Sequence, residues 1–228
     1  MLKFNNVYKK YDNGTQALEN VNLEIDSGEF VFLIGTSGSG KSTLIKLILR
    51  EETSTSGEIY FKDVQLEKLE RKDIAKVRRQ MGVVFQDFRL LPNKTAYENV
   101  AYAMEVVEAS ERKIQRDVPK ALALVGLEDK ANRYPDELSG GEQQRIAIAR
   151  AIVNKPDLII ADEPTGNLDP ENSKEIIRLF SEINKNGTTV LIATHEKSIV
   201  NAMGKRVIEI DKGVIVRDEE KGHYDNEN

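Results

Sequence analysis

Gly35-Thr36-Ser37-Gly38-Ser39-Gly40-Lys41-Ser42 follows the apolar run Phe30-Val31-Phe32-Leu33-Ile34 and precedes Leu44-Ile45-Lys46-Leu47-Ile48-Leu49. Strand, glycine-rich turn and helix in that order form a phosphate-binding loop. Glycines let backbone N–H groups curl around phosphate oxygens with no Cβ in the way. A helix that starts at Lys41 points its positive end at the anion. Lys41 adds a full charge for the outer phosphates, and the Ser42 hydroxyl can ligate Mg²⁺. A merely structural turn would leave Lys41 without a task.

The rest of the chain fits a globular nucleotide-binding protein. Its 228 residues suffice for one large domain or two small ones. Charged residues make up 31%, and the net charge of −5 argues against nucleic acid as the main partner. With no cysteine there are no disulfides and no thiolate chemistry, which fits a reducing compartment. No apolar run approaches the roughly 20 residues needed to span a bilayer. Met1-Leu2-Lys3-Phe4-Asn5 shows no apolar signal stretch. The expectation is a soluble, cytosolic protein that meets a membrane only through a partner.

Outward from the loop, residues 2–8 and 17–25 read as strands, with Asp12-Asn13-Gly14 as a turn between them. Residues 57–61 form a further strand, so the opening third is strand-rich. Residues 71–79 are a short basic helix, either a solvated face or a phosphate contact. Residues 81–85 are a compact apolar strand ending at Gln86. Tyr97, Val100, Ala101, Met104 and Val107 share a face at helical spacing. A second helix runs from an N-cap at Ser110 to Leu124 and ends at Gly126. Ser139-Gly140-Gly141-Glu142 is a capping box opening another helix, with Ile146, Ala149, Ile152 and Val153 as its buried stripe and Pro156 as its stop. Residues 158–161 and 189–194 are continuous apolar runs, the mark of strands buried on both faces of a parallel sheet. Between them, residues 171–183 read as a helix. Residues 206–211 and 214–218 form a hairpin around Lys212-Gly213, and residues 219–228 read as a polar, frayed tail. Strands alternating with helices give an α/β fold with its site at the carboxyl ends of the strands.

Several polar residues fall at those ends. Asp162 closes a buried strand, where a carboxylate can hold Mg²⁺ directly or through water. Glu163 follows and can orient or deprotonate an attacking water. Gln86 is either an ordinary loop glutamine or an amide that ligates Mg²⁺ or holds the water. His195 is either structural or a hydrogen-bond donor to a γ-phosphate. Tyr11 either packs or stacks on a base. Ser139-Gly140-Gly141 puts two glycines at a helix start, which a simple cap does not need. They permit close backbone approach to an anion, so a second surface meets the same nucleotide, as a head-to-tail dimer would arrange.

Taken together, these motifs resemble the ATP-binding cassette (ABC) ATPases over residues 1–218. In family order they are Tyr11 as the base-stacking aromatic, residues 35–42 as the Walker A loop and Gln86 as the Q-loop. Then come Leu138-Ser139-Gly140-Gly141-Glu142-Gln143-Gln144-Arg145 as the signature, residues 158–163 as Walker B, Asn167-Leu168-Asp169 as the D-loop and His195 as the switch histidine. The resemblance implies a P-loop RecA-like core with an antiparallel β subdomain and a helical subdomain at about 88–138. It implies ATP and Mg²⁺ as ligands. Nucleotide contacts would come from Tyr11, Gly35, Thr36, Ser37, Gly38, Ser39, Gly40, Lys41, Ser42 and Thr43 of one copy and Ser139, Gly140 and Gly141 of its twin. Metal contacts would come from Ser42, Gln86 and Asp162. Glu163 would be the general base, with His195, Gln86 and Lys41 in the catalytic set. The D-loop departs from the common Ser-Ala-Leu-Asp form, with Gly166-Asn167 in its first two places. Residues 85–92 and 211–222 resemble the branch of the family that serves cell division, working with an integral membrane partner at the cytoplasmic face of the plasma membrane. Residues 162–169 are shared with lipoprotein-release and macrolide-efflux ATPases, the alternative assignment. An apolar cluster of Phe88, Leu90, Leu91 and the helix from residue 96 follows Gln86 and is the expected docking groove for the partner.

Overall fold

The computed structural model describes residues 1–224. In chain order its elements are β1 (Leu2–Lys10), β2 (Gln16–Ile25), β3 (Phe30–Ile34), α1 (Lys41–Ile48), β4 (Ser56–Phe61), β5 (Val64–Gln65), α2 (Arg71–Arg78), β6 (Met81–Phe85), α3 (Ala96–Glu105), α4 (Glu111–Leu124), α5 (Gly140–Ile152), β7 (Leu158–Asp162), α6 (Pro170–Lys185), β8 (Thr189–Ala193), α7 (Lys197–Met203), β9 (Arg206–Asp211) and β10 (Val214–Glu219). They fall into two compact units. One is Met1–Arg78 together with the chain from Thr189 onward, and the other is Arg79–Thr188.

The first unit holds two sheets. Strands β2, β1, β4 and β5 form an antiparallel sheet in that order. Alternation along β1 buries Leu2, Phe4 and Val7, which meet Leu18, Val21, Leu23 and Ile25 from β2 in a shared apolar layer. The strands of the second sheet that belong to this unit run β10, β9, β3, β8. β3 lies between parallel neighbours β8 and β9, and every residue of β3 and β8 is buried. That is why both read as unbroken apolar runs rather than alternating ones. β9 and β10 pair antiparallel around Lys212 and Gly213, both at positive φ (46° and 84°), as a tight hairpin turn requires.

The second unit sets the parallel pair β6 and β7 among α3, α4, α5 and α6. α5 packs on β6 and against α3. Ile146, Ala149 and Val153 are buried as their spacing predicts, but Ile152 is only half-buried. Ser110 stands at the N-cap of α4 without a side-chain bond to it, so the helix start there is held by backbone alone.

Two expectations change. Residues 197–203 form a helix, α7, that the sequence pattern did not announce. Residues 219–224 pack rather than fray. Arg217 donates through its guanidinium to the carbonyls of His223 (2.7 Å) and Tyr224 (3.0 Å), and Gly222 N–H donates to Lys205 O at 3.2 Å. The remainder of the expected tail, residues 225–228, lies outside the described residues.

Candidate functional site

In the first unit the phosphate loop leaves the carboxyl end of β3. Gly35 and Gly40 take φ of 147° and 118°, and a Cβ at Gly35 would collide with the Ile210 carbonyl oxygen. Only glycine tolerates both constraints. Thr36, Ser37 and Gly38 are exposed at the loop crest, and Gly40 caps α1. The Lys41 side chain is buried, and its ammonium donates to Gly35 O at 2.7 Å and Thr36 O at 3.0 Å. The charge is therefore gathered under the loop instead of extending to solvent. The Ser39 hydroxyl is buried with no hydrogen-bond partner. An orphaned buried hydroxyl inside a cradle of glycine backbone, at the positive end of a helix, is what an incoming phosphate would satisfy. Ser42 is exposed on the first turn of α1, its hydroxyl open to a ligand.

Two more expected residues belong to this unit. Register pairs Leu33 with Ala193, so Gly35 and His195 stand level, each two residues past the paired position. Thr194 N–H donates to Leu33 O at 3.1 Å, which extends the ladder and delivers an exposed His195 at the sheet edge. The Tyr11 hydroxyl lies 3.3 Å from the Thr43 hydroxyl on α1. The Lys9 ammonium sits 4.7 Å from the Tyr11 ring centroid. Lys9 is itself buried and fixed by Glu52 (2.8 Å) and the Thr53 carbonyl (2.9 Å).

In the second unit β6 and β7 end together, with Phe85 opposite Asp162. Gln86, Asp162 and Glu163 thus leave one carboxyl edge. Glu163 adopts φ 49°, an uncommon conformation for a residue with a side chain. The turn after it is held by Gly166 N–H to Glu163 O at 3.1 Å and by the buried Gln144 amide donating to Pro164 O at 2.6 Å. Gln86 and Asn167 exchange hydrogen bonds at 3.1 and 3.0 Å.

The Ser139 capping box forms as its spacing predicts. Ser139 Oγ accepts from Glu142 N–H at 3.3 Å, and Ser139 N–H donates to the Glu142 carboxylate at 2.8 Å. That N–H bond holds the Glu142 carboxyl below its usual range. Gly140 lies beside Leu168 and Phe88, and a Cβ on Gly141 would collide with the Asn172 side chain. Gly141 therefore has a packing reason to be glycine, independent of any anion.

Among the described residues no group of three or more His, Cys, Asp and Glu could hold a metal ion. The residues expected to meet Mg²⁺, Ser42 in the first unit and Gln86 and Asp162 in the second, each carry oxygen donors, the ligand type a hard cation takes.

The sequence reading missed Lys9 and Arg150, and it named Gln144 and Asn167 only within the signature and the D-loop, without their bonds to Pro164 and Gln86. Arg150 on α5 donates to the carbonyls of Phe88 (2.8 Å) and Arg89 (2.6 Å), which hold consecutive positive φ of 56° and 48°. Asn99 was missed too. It is buried on α3, accepts from Leu91 N–H at 2.7 Å and donates to the Leu91, Lys94 and Thr95 carbonyls. An Asn inside an otherwise apolar helix face was the available signal.

A family profile described as ABC transporter matches residues 18–166. The cell division ATP-binding protein FtsE of Bacillus subtilis is 54% identical over 224 residues, covering 98% of each chain. FtsE of Escherichia coli K12 is 46% identical over 213 residues, 93% of this chain and 96% of that one. Among solved structures, the dimeric ATP-binding cassette MJ0796 in a post-hydrolysis state bound to ADP and Pi superposes with a TM-score of 0.87. It is 38% identical and covers 97% of this chain and 99% of its own.

Proposed function

The chain belongs to the ABC transporter family, and from that premise we propose how its residues divide the work and which complex it serves. It binds and hydrolyses ATP, and within the family it stands with the FtsE cell-division ATP-binding proteins. Residues 1–218 act as one cassette. Two copies close on two ATP molecules, hydrolyse them and reopen. Each triphosphate lies in the Gly35–Thr43 loop of one copy, its base against Tyr11. The Ser139-Gly140-Gly141 helix start of the second copy meets it from the far side. Lys41 neutralises the outer phosphates. Glu163 takes the proton of the attacking water, and His195 donates to the γ-phosphate. Ser42, Gln86 and Asp162 would hold Mg²⁺, which when bound would supply charge neutralisation to the triphosphate.

The observation that carries this reading is Glu163. It is a carboxylate held at φ 49° directly past Asp162, in a turn fixed by two hydrogen bonds, Gly166 N–H to Glu163 O and the Gln144 amide to Pro164 O, rather than by its own preference. Such strain persists where surrounding structure over-determines it, and it concentrates at working sites.

The output is mechanical. No helix among the described residues is long and apolar enough to cross a membrane. An FtsX-like integral partner supplies the membrane contact, and this chain works at the cytoplasmic face of the plasma membrane. Phe88, Leu90 and Leu91 are half-buried beyond Gln86, while Tyr102 on α3 (43% exposed) and Val106 at its C-cap (56% exposed) stand one turn apart. Together they offer apolar surface for a partner helix. ATP-driven closure is relayed through that partner to cell-wall hydrolases, and nucleic acid is not a partner of this acidic chain (net charge −5). Glu163→Gln is expected to lower steady ATP hydrolysis on the order of 10²–10⁴-fold and to leave an ATP-bound dimer on gel filtration. That trapped form should also retain a four-span permease-like protein from solubilised membranes. Unchanged turnover would remove Glu163 from its role, and recovery of a substrate-loaded transporter would redirect the assignment to lipoprotein release or efflux.

A further inference from the structure

The two places at which this D-loop departs from the Ser-Ala form, Gly166 and Asn167, both touch Gln86. Gln86 Nε2 donates to Asn167 Oδ1 at 3.1 Å, and Asn167 Nδ2 donates to the Gln86 main-chain oxygen at 3.0 Å. A Cβ at Gly166 would lie 2.8 Å from Gln86 Nε2 and 3.0 Å from Cδ, so any larger residue there displaces the amide. The pair joins residues 81 apart in sequence and is formed entirely within the second unit.

We propose that Asn167 is the positioning residue of Gln86, fixing which end of its amide is presented to the metal. Hydrogen-bond chemistry alone gives the orientation. A main-chain carbonyl only accepts, so Asn167 must turn its NH₂ toward the Gln86 carbonyl. Its oxygen then faces the Gln86 side chain, which must answer with its own NH₂. Gln86 Oε1 is left pointing away from Asn167, without a hydrogen bond among the described residues. A side-chain amide has one end that ligates a hard cation and one that does not. Left to rotate, Gln86 would offer the wrong end part of the time. Asn167 removes that choice, and Gly166 leaves the room for it.

This inference rests on Gln86 as a metal ligand, so its test separates the two claims. The full chain is used as the Glu163→Gln form, in which dimerisation on ATP is read without turnover. The readout is the Mg²⁺ concentration giving half-maximal dimer by light scattering, with metal-free ATP binding measured alongside. Gln86→Ala is expected to raise that concentration roughly tenfold, the loss of one good ligand interaction. Asn167→Ala should raise it roughly three- to tenfold with metal-free ATP binding unchanged, and the double variant should be no worse than Gln86→Ala alone. Asn167→Asp keeps the shape but sets a carboxylate oxygen against the Gln86 carbonyl. It should match or exceed Asn167→Ala, whereas a purely space-filling role predicts no effect. Thermal unfolding of each variant checks that the fold is retained. If Gln86→Ala shifts the Mg²⁺ midpoint and neither Asn167 variant does, or if the effects simply add, the positioning role is overturned and the ligand role stands. If Gln86→Ala shifts nothing, the ligand role falls and this proposal falls with it.

Discussion

Tyr11 is fixed from two directions before any nucleotide arrives. Its hydroxyl reaches Thr43 on α1 at 3.3 Å, and a buried Lys9 ammonium lies 4.7 Å from its ring centroid. Lys9 in turn is locked by Glu52 and Thr53 O, so the ring rests on a charge that does not move. A cation at one face of an aromatic ring leaves the other face for stacking. Replacing the ring should therefore act on binding and not on chemistry. Tyr11→Ala is expected to raise KM for ATP roughly tenfold with kcat nearly unchanged, since base stacking on an aromatic is worth about 1–3 kcal/mol. Tyr11→Phe should cost far less, because it gives up only the long contact to Thr43. Steady-state kinetics on the two variants separates stacking from anchoring. A fall in kcat with Tyr11→Ala would mean the residue does more than seat the base. The sequence showed Tyr11 but not Lys9: a lysine in an alternating strand reads as solvent-facing, and its partners at 52 and 53 are brought to it only by tertiary pairing.

Helix starts carry much of the architecture, and they respond to acid. Glu98 is held below its usual range by the Thr95 N–H, Glu142 by the Ser139 N–H, and Asp169 by the N–H of Asn172. Each folded-state value lies below the unfolded one, so the unfolded chain binds more protons as pH drops. The stabilisation is complete above the unfolded values, near pH 4, and disappears as pH falls through the folded values. The denaturant midpoint should accordingly decline between about pH 5 and pH 3, and the Glu98→Gln, Glu142→Gln double variant should show a shallower decline. An equal slope in the variant would place the acid sensitivity elsewhere. The Ser139 box was legible because Ser139 and Glu142 sit at the right spacing in sequence, whereas the Thr95–Glu98 box, at the same spacing, was not read. The buried runs of β3, β7 and β8 were legible because sheets covered on both faces leave no alternation to interpret. Other elements left no such trace. α7 has seven residues, no side-chain cap and no acidic first turn, and β5 has two residues. Both exist through tertiary contact rather than local preference. The same holds for Asn167, whose pairing with Gln86 joins positions 81 apart and follows no periodicity.

The chain carries its phosphate loop in one compact unit and Glu163 with the Ser139 helix start in the other. Ser139 is already occupied by its capping box, accepting from Glu142 N–H and donating to the Glu142 carboxylate at 2.9 Å. Yet Ser139, Gly140 and the exposed D-loop residues Gly166 and Asn167 remain on a surface that needs no further help to fold. A surface whose polar groups are already satisfied within the chain, and which still stands exposed, is free to serve a second copy. If the triphosphate is shared between copies, two dead variants must complement one another. Lys41→Ala destroys the loop of its own copy, and Ser139→Arg blocks the surface it offers to its twin. Either homodimer has two ruined sites. In the mixed dimer, one site collects both lesions and the other has an intact Lys41 opposite an intact Ser139. With random pairing half of the dimers are mixed and one site in two works, so hydrolysis should return to roughly a quarter of the unmodified rate if each site turns over independently. Mixing the two inactive proteins and following phosphate release measures this directly. If every site lay within a single chain, no mixture of these variants would regain any activity, because each copy would carry its own uncorrected defect.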